Sequence, residues 1–267
     1  MCIAAFIWQA HPLYPLLLLQ NRDEYHQRHA LLFLVIYLCI CVFGACLRLI
    51  GLPTKPVGWW DGGEILGGRD ELAGGTWLAC SRTGRVAFLT NVLELHTLPE
   101  AKSRGDLPVL FLESTKSPME FAQELVTEAH QYNGFNLILA DMFSKTMVYV
   151  SNRPKGEPIT IQEVCPGIHV LSNAKLDSPW HKNLINYGDG ELPVKEMAEK
   201  LMTDSIKQMK ADYLVFVHFM GIQSKPCGRY GTRSTAAVTV EASGQAAFMR
   251  SILKRICGGE TVNTFRS

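Results

Sequence analysis

No C-x-x-C pair, no zinc-ligand spacing and no C-x-x-C-H signature occurs in this chain, although it carries eight cysteines, at positions 2, 39, 41, 46, 80, 165, 227 and 257. Zinc ribbons, thioredoxin-like redox centres and covalently attached haem are thereby excluded, and no resident metal is expected. Three of the cysteines (39, 41 and 46) lie inside one apolar run, so a reducing compartment accounts for them more simply than a disulfide framework. Charge of one sign is lacking too. The net charge is +1, with Lys and Arg scattered rather than clustered, which leaves no basic stripe for a nucleic-acid partner. Neither G-x-x-x-x-G-K-[ST] nor G-x-G-x-x-G appears, so neither dinucleotide nor P-loop binding is indicated. The N-terminus lacks the basic n-region of a signal peptide, and Gln9, His11 and Pro12 interrupt its apolar residues; nor is it Arg- and Ser-rich like a transit peptide. No internal repeat and no low-complexity linker divides the chain, so one domain is expected over residues 1–267.

Apolar residues make up 47% of the sequence, enough for a sizeable core. Residues 2–8 and 16–20 are short apolar runs separated by a Pro-containing connection, the pattern of a hairpin. Residues 85–91, 135–140, 146–150 and 164–171 read as further strands, and 236–240 with 246–249 as a last hairpin. Apolar residues at 119, 122, 125 and 129, with Pro118 near the start, predict a helix over 117–131, and 192–209 reads as a second. Strands and helices in this order indicate an α+β domain with mostly antiparallel pairing. Closely spaced glycines between 58 and 79 mark tight turns or backbone pressed against a neighbour, with a phosphate cradle as the alternative. Residues 30–47 are eighteen residues without a charge, long enough for a helix to cross a bilayer core. Two readings stand there: a transmembrane helix, or a segment inserted into a soluble domain.

The sharpest chemical feature is Cys2. A small second residue permits removal of the initiator Met, after which one residue carries a thiol and an α-amine. The amine titrates near about 8 and an ordinary thiol near about 8.5, so the amine can take the thiol proton close to neutrality. The competing reading is a small apolar residue at the start of a strand. Arg22 and Asp23 follow the second strand, which hairpin pairing returns beside the first; there they can favour a thiolate and orient an amine, or form a surface ion pair. Asn91 and Asn173 end strands in the similar contexts Phe-Leu-Thr-Asn and Val-Leu-Ser-Asn. Each is a usable oxyanion donor or a turn former. Arg229 and Arg233 can complete a cationic rim for a carboxylate or phosphate.

Several uncommon motifs occur in order along nearly the whole chain: Met-Cys-Ile at the start, Gln-Asn-Arg-Asp-Glu-Tyr from Gln20, and Gly-Gly-Arg-Asp…Ala-Gly-Gly-Thr-Trp-Leu from Gly67. Phe-Leu-Thr-Asn-Val from Phe88, Leu-Ser-Asn-Ala-Lys-Leu-Asp-Ser-Pro-Trp from Leu171 and Tyr-Gly-Thr-Arg-Ser-Thr from Tyr230 complete the set. With these motifs the chain resembles the NRDE family, also called the transport and Golgi organisation protein family. That family is distantly similar to the cysteine N-terminal-nucleophile acylases, such as bile salt hydrolases and penicillin V acylase. The resemblance implies an αββα sandwich of two antiparallel sheets between helical layers. It implies Cys2 as nucleophile, Arg22 and Asp23 as its supports and Asn173 as an oxyanion donor, with Asn91 and Arg233 carried over from looser contexts.

The same resemblance implies a role in Golgi organisation and secretion, together with haem trafficking or acyl-coenzyme A and lipid metabolism. The expectations are therefore a cytoplasmic protein with Golgi or mitochondrial association, no required cofactor, and haem or acyl-coenzyme A as a small-molecule ligand. The alternative is a cysteine-nucleophile amidohydrolase or acyl-transfer enzyme acting through Cys2. For haem, His96, His169 and Cys165 are the conceivable axial ligands. The chain departs from the family pattern in two places. Residues 29–52 intervene where the family runs on directly, which favours an inserted apolar helix, with membrane contact through residues 30–47 as its other use. After Phe248, Met-Arg-Ser-Ile-Leu-Lys-Arg replaces the usual ending.

Overall fold

The computed structural model describes residues 2–11, 14–25, 55–71, 73–92, 94, 97–178, 230–240, 246–252 and 263–266. The segment 29–52 and the expected helix at 192–209 lie outside these. Two antiparallel sheets are stacked. The first contains β1 (Ile3–Trp8), β2 (Leu16–Tyr25), β10 (Gly167–Leu171), β11 (Tyr230–Val240), β12 (Ala246–Ile252) and β13 (Asn263–Arg266), in the order β10-β1-β2-β11-β12-β13. The second runs in chain order through β3 (Lys55–Trp59), β4 (Ile65–Arg69), β5 (Leu78–Ser81), β6 (Arg85–Asn91), β7 (Phe135–Asp141), β8 (Thr146–Ser151) and β9 (Thr160–Glu163). Helices α1 (Asp106–Glu113) and α2 (Pro118–Glu128), the latter continued by a 3-10 turn at Ala129–Gln131, lie on its outer face.

Strand alternation sorts the side chains between layers. Ala4, Phe6 and Trp8 of β1, Leu16 and Leu18 of β2, and Ala236, Val238 and Val240 of β11 meet Leu78, Val86, Phe88, Ile138, Ala140, Met147 and Tyr149 between the sheets. Phe6 and Phe88 pack edge to face across this gap, with centroids 5.5 Å apart. Residues of the opposite parity in the second sheet, Ala87, Leu89, Leu137, Leu139, Val148 and Val150, pack instead against Leu107 and Phe111 of α1 and Ala122 and Leu125 of α2. A sheet covered on both faces explains why β6 and β7 read as unbroken apolar runs. Ile3, Ile7, Leu17 and Leu19, which point away from the inter-sheet core, are buried as well. The first sheet is thus also covered on its outer face. Helix layer, sheet, sheet and a covered outer face make this α+β fold an αββα sandwich.

The structure extends two sequence expectations and shortens a third. β2 continues past Gln20 through the polar residues to Tyr25, and β11 begins at Tyr230, because each strand satisfies the other's backbone along that length. The expected strand 164–171 begins only at Gly167, and a separate strand, β9, ends before it at Glu163. Pro166 cannot donate a ladder hydrogen bond, and here the chain leaves β8's flank in the second sheet for β1's flank in the first. Helix α1 escaped prediction because it is one eight-residue element with Pro108 in its first turn, where proline is tolerated. Among the described residues no helix is long and apolar enough to cross a membrane.

Helix α2 starts where its sequence indicates. The Ser117 hydroxyl accepts from the Glu120 amide, and the Glu120 carboxylate accepts from the Ser117 amide, with Pro118 at the first helical position. Ser117→Ala is expected to remove about 1 kcal/mol of stability, read as a lower denaturation midpoint with an unchanged denaturant slope.

Candidate functional site

The register of the first sheet gathers the candidate residues at one end. Ile3 pairs with Asn21 on one side, and Ala4 pairs with Leu171 on the other. Cys2, one residue before β1, therefore stands between the Asn21–Asp23 stretch of β2 and the Ser172-Asn173 turn that follows β10. On β2's far side, Arg22 pairs with Ser234 and Asp23 with Thr232, so Arg233 is the extra residue of a β-bulge between them. Cys2, Arg22, Asp23, Asn173 and Arg233 thus share one sheet end. Arg229 lies outside the described residues.

Asn91 reaches the same place from the second sheet, at the end of β6. Its side chain is exposed, and the Asn91 group that engages the site is its carbonyl oxygen, which accepts from the Asn173 side-chain amide. Behind this contact runs a buried polar bridge between the sheets. The Thr90 hydroxyl donates to the Ser172 carbonyl at 2.6 Å, and Asn136 Nδ2 donates to the Ala174 carbonyl at 2.7 Å and to the Ser172 carbonyl at 3.3 Å. The Tyr149 hydroxyl holds the other end of the Asn136 amide at 2.9 Å, and Gln20 Nε2 donates across the sheets to the Leu89 carbonyl at 3.1 Å. The turn bearing Asn173 is thereby fixed by side chains inside the sandwich. One acceptor at its tip is left over: Asn173 Oδ1 is buried and has no hydrogen-bond partner among the described residues.

A charged cluster missed by the sequence reading adjoins the site. Glu94 pairs with Arg153, whose Nε donates to Glu94 Oε1 at 2.6 Å, while Glu94 Oε2 accepts from the Gly134 amide. Arg104, in the loop before α1, donates from Nη1 to the Gly134 carbonyl at 2.9 Å. Burial pulls the Arg104 guanidinium below its ordinary pKa; Glu94 chiefly acts in the opposite sense, and Arg153 adds to the fall. Arg104 thus joins the Glu94–Arg153 pair through the Gly134 peptide. The signal that could have found it is Ser-Arg-Gly-Asp placed immediately before an apolar run, an arginine at the mouth of a short helix.

The other cysteines and histidines named by the sequence differ from Cys2. Cys80 is buried in the inter-sheet core, and burial pushes its thiol up to about 12. Cys165 is exposed. Both ring nitrogens of His169 are engaged, Nδ1 with Asp177 Oδ2 at 2.8 Å and Nε2 with the Cys165 carbonyl at 2.8 Å, so neither is open to a haem iron. His96 lies outside the described residues. Among the described residues no group of three or more His, Cys, Asp or Glu side chains is arranged to hold a metal ion.

With this geometry in place, the comparison with known proteins is direct. The family described as Transport and Golgi organisation 2 matches residues 1–255. The chain belongs to that family. The Transport and Golgi organization 2 homolog of Mus musculus is 30% identical over 99% of this chain and 98% of its own length. The Bos taurus homolog is 29% identical over 95% of this chain and 94% of its own. Solved structures with a similar chain path include the C2A mutant of conjugated bile acid hydrolase from Clostridium perfringens, with TM-score 0.47, 13% identity and coverage of 100% of this chain and 92% of that one. Another is a Caenorhabditis elegans ortholog of N-acylethanolamine-hydrolyzing acid amidase, with TM-score 0.47, 10% identity and coverage of 88% and 92%. In this member of the Transport and Golgi organisation 2 family, the motif Leu-Ser-Asn-Ala-Lys thus has a physical reason: its backbone carbonyls are the acceptors of the inter-sheet bridge.

Two outcomes follow from these contacts. Asn136→Leu strands the Ala174 carbonyl in the interior, and should cost about 1–3 kcal/mol in denaturant unfolding. The His169–Asp177 pair sets a pH dependence. Burial opposes the His169 charge, but the bonds to Asp177 and to the Cys165 carbonyl outweigh it and raise its pKa; the same pairing lowers that of Asp177 against its burial. The His169 contribution is full below about pH 6.5 and is lost as pH rises through the raised value, whereas that of Asp177 is present above about pH 4 and is lost as pH falls through the lowered one. Asp177→Asn should therefore narrow the stability difference between about pH 5 and pH 8, measured as thermal midpoints.

Proposed function

We propose that this chain is an acyl-handling protein of the secretory pathway whose chemistry centres on Cys2, the thiol attacking the carbonyl carbon of an amide or thioester. The observation that carries the reading is the register that sets Cys2 between the Arg22–Asp23 stretch of β2 and Asn173. The printed names of the relatives, transport and Golgi organization, support the compartment.

In this reading, cleavage of Met1 exposes the α-amine of Cys2, which takes the Sγ proton as sulfur bonds to the carbonyl carbon. Asn173 Nδ2 has two hydrogens; one is committed to the Asn91 carbonyl, and the other is the donor for the developing oxyanion. Collapse expels an amine or thiol, which leaves with the proton held by the α-ammonium, and a thioester remains on Cys2. Water then releases the acid, or a second nucleophile accepts the acyl group. The α-ammonium also supplies a donor of the kind the buried Asn173 Oδ1 lacks. An acyl thioester suits the site as substrate class, since its carbonyl carbon is the electrophile that a thiol attacks by exchange. Haem suits it less, because His169 has both nitrogens engaged.

A second reading, retention of the ligand without turnover, is favoured by one observation: half the donor capacity of the Asn173 amide is held by the Asn91 carbonyl. A fluorescent acyl thioester separates the two. Released acid supports turnover, whereas a saturable, unreleased signal supports carriage.

Purified full-length protein should show an intact mass lacking Met1, and iodoacetamide should modify Cys2 roughly tenfold or more ahead of Cys80 and Cys165. Equal rates at Cys2 and Cys165 would remove the nucleophile from the proposal.

A further inference from the structure

Four sequence features meet where the cysteine chemistry does not yet use them: Gly75 of the Ala-Gly-Gly-Thr motif, the Ser-Arg-Gly-Asp segment at 103–106, Glu94, and Gly134. A Cβ on Gly75 would lie 2.4 Å from the Gly105 carbonyl carbon, and the Thr76 amide donates to the Gly105 carbonyl at 3.0 Å. Two backbones are in direct contact there, which only glycine allows. On its other side the segment is held by the Lys102 amide, which donates to the Gln131 carbonyl at 3.0 Å. Arg104 is thus carried on a loop clamped at both ends. Its guanidinium donates to the Gly134 carbonyl, the same oxygen that accepts from the Val92 amide at 2.9 Å. Val92 follows Asn91, whose carbonyl holds Asn173. From Arg104 to the turn beside Cys2 there is a continuous run of hydrogen-bonded groups.

We propose that Arg104 is a positioning residue for the Cys2 sulfur, its fixed guanidinium stabilising the thiolate from the second-sheet side of the site. This rests on the reading of Cys2 as nucleophile. The charge balance gives the reason. Glu94 is occupied by Arg153 and the Gly134 amide, and a Cβ at Gly134 would lie 2.9 Å from Glu94 Oε2 and 3.0 Å from Arg153 Nε, so the pair is packed against that glycine. Two guanidinium groups against one carboxylate leave the Glu94–Arg104–Arg153 cluster at +1 (2 − 1), joined through Gly134, Val92 and Asn91 to the turn that the register sets beside Cys2. The other charged groups at this end are Arg22 and Asp23 on β2, Arg233 at the β11 bulge, Lys175 and Asp177 in the turn after β10, and Asp106 at the start of α1. Asp177 is held by His169. A cation on a rigid mount lowers the cost of forming thiolate without moving toward it.

The test is the pH profile of Cys2 alkylation by iodoacetamide, followed by mass spectrometry on the full chain. Arg104→Met should raise the midpoint by about one unit and slow the reaction at pH 7 by roughly tenfold, while Arg104→Lys keeps most of the wild-type profile. A residue that only ties the loop to Gly134 would change stability and leave the midpoint where it is. Glu94→Gln supplies a reading of opposite sign should Arg104→Met fail to fold: removing the carboxylate should lower the midpoint. An unchanged midpoint in a folded variant, with wild-type Cys2 still alkylated ahead of Cys80 and Cys165, overturns the role of Arg104 alone. Slow alkylation of wild-type Cys2 overturns the nucleophile reading, and this inference with it.

Discussion

Two carbonyls in the turn after β10, those of Ser172 and Ala174, need donors inside a sandwich that excludes water, and Thr90 and Asn136 of the opposite sheet provide them. This bridge fixes how the two sheets meet at the end where Cys2 lies. Buried backbone acceptors without partners are costly, so the turn has few alternative positions. Because the donors are themselves buried and Asn136 is held by Tyr149, the position of Asn173 depends on the interior of the sandwich rather than on the surface.

The second constraint is steric. Gly75 against Gly105 and Gly134 against the Glu94–Arg153 pair are places where backbone or an ion pair occupies the volume a Cβ would take. Their effect is to bring the loop before α1 close to the ends of β6 and β7, and so to bring a guanidinium toward the head of β1. Polar bridge and glycine contacts act on opposite flanks of Cys2. One sets the amide on the first-sheet side, and the other sets the positive charge on the second-sheet side.

Burial separates the cysteines chemically. The Cys80 thiol, desolvated in the inter-sheet core, has its pKa pushed up to about 12 and is a packing residue. Cys2 is half-buried at a sheet end among polar and charged groups. Identical side chains thus differ in reactivity through dielectric surroundings and neighbouring charge.

Local pattern alone was enough for the elements that depend on local rules. The hairpin of β7 and β8, the Ser117–Glu120 capping box and the turn glycines at 62 and 63, both at positive φ, are each specified within a few residues. Cys2, Arg22 and Asp23 were legible as candidates because hairpin register is a short-range property, and Asn173 because it ends an apolar run in a motif of the family. Arg104, Glu94 and Arg153 were not, since they lie far apart along the chain and are brought together by the Glu94–Arg153 pair and the Gly134 peptide. The use of the Asn91 carbonyl instead of its side-chain amide, and the crossing from β9 to β10 between sheets, also depend on the stacking of two sheets. Sequence by itself determined the strands, the cap and the cysteine at position 2, because sterics and hydrogen bonding act along the chain. Tertiary structure decided which charged groups gather near that sheet end, because contacts such as Glu94–Arg153 and Arg104–Gly134 join residues the sequence keeps apart.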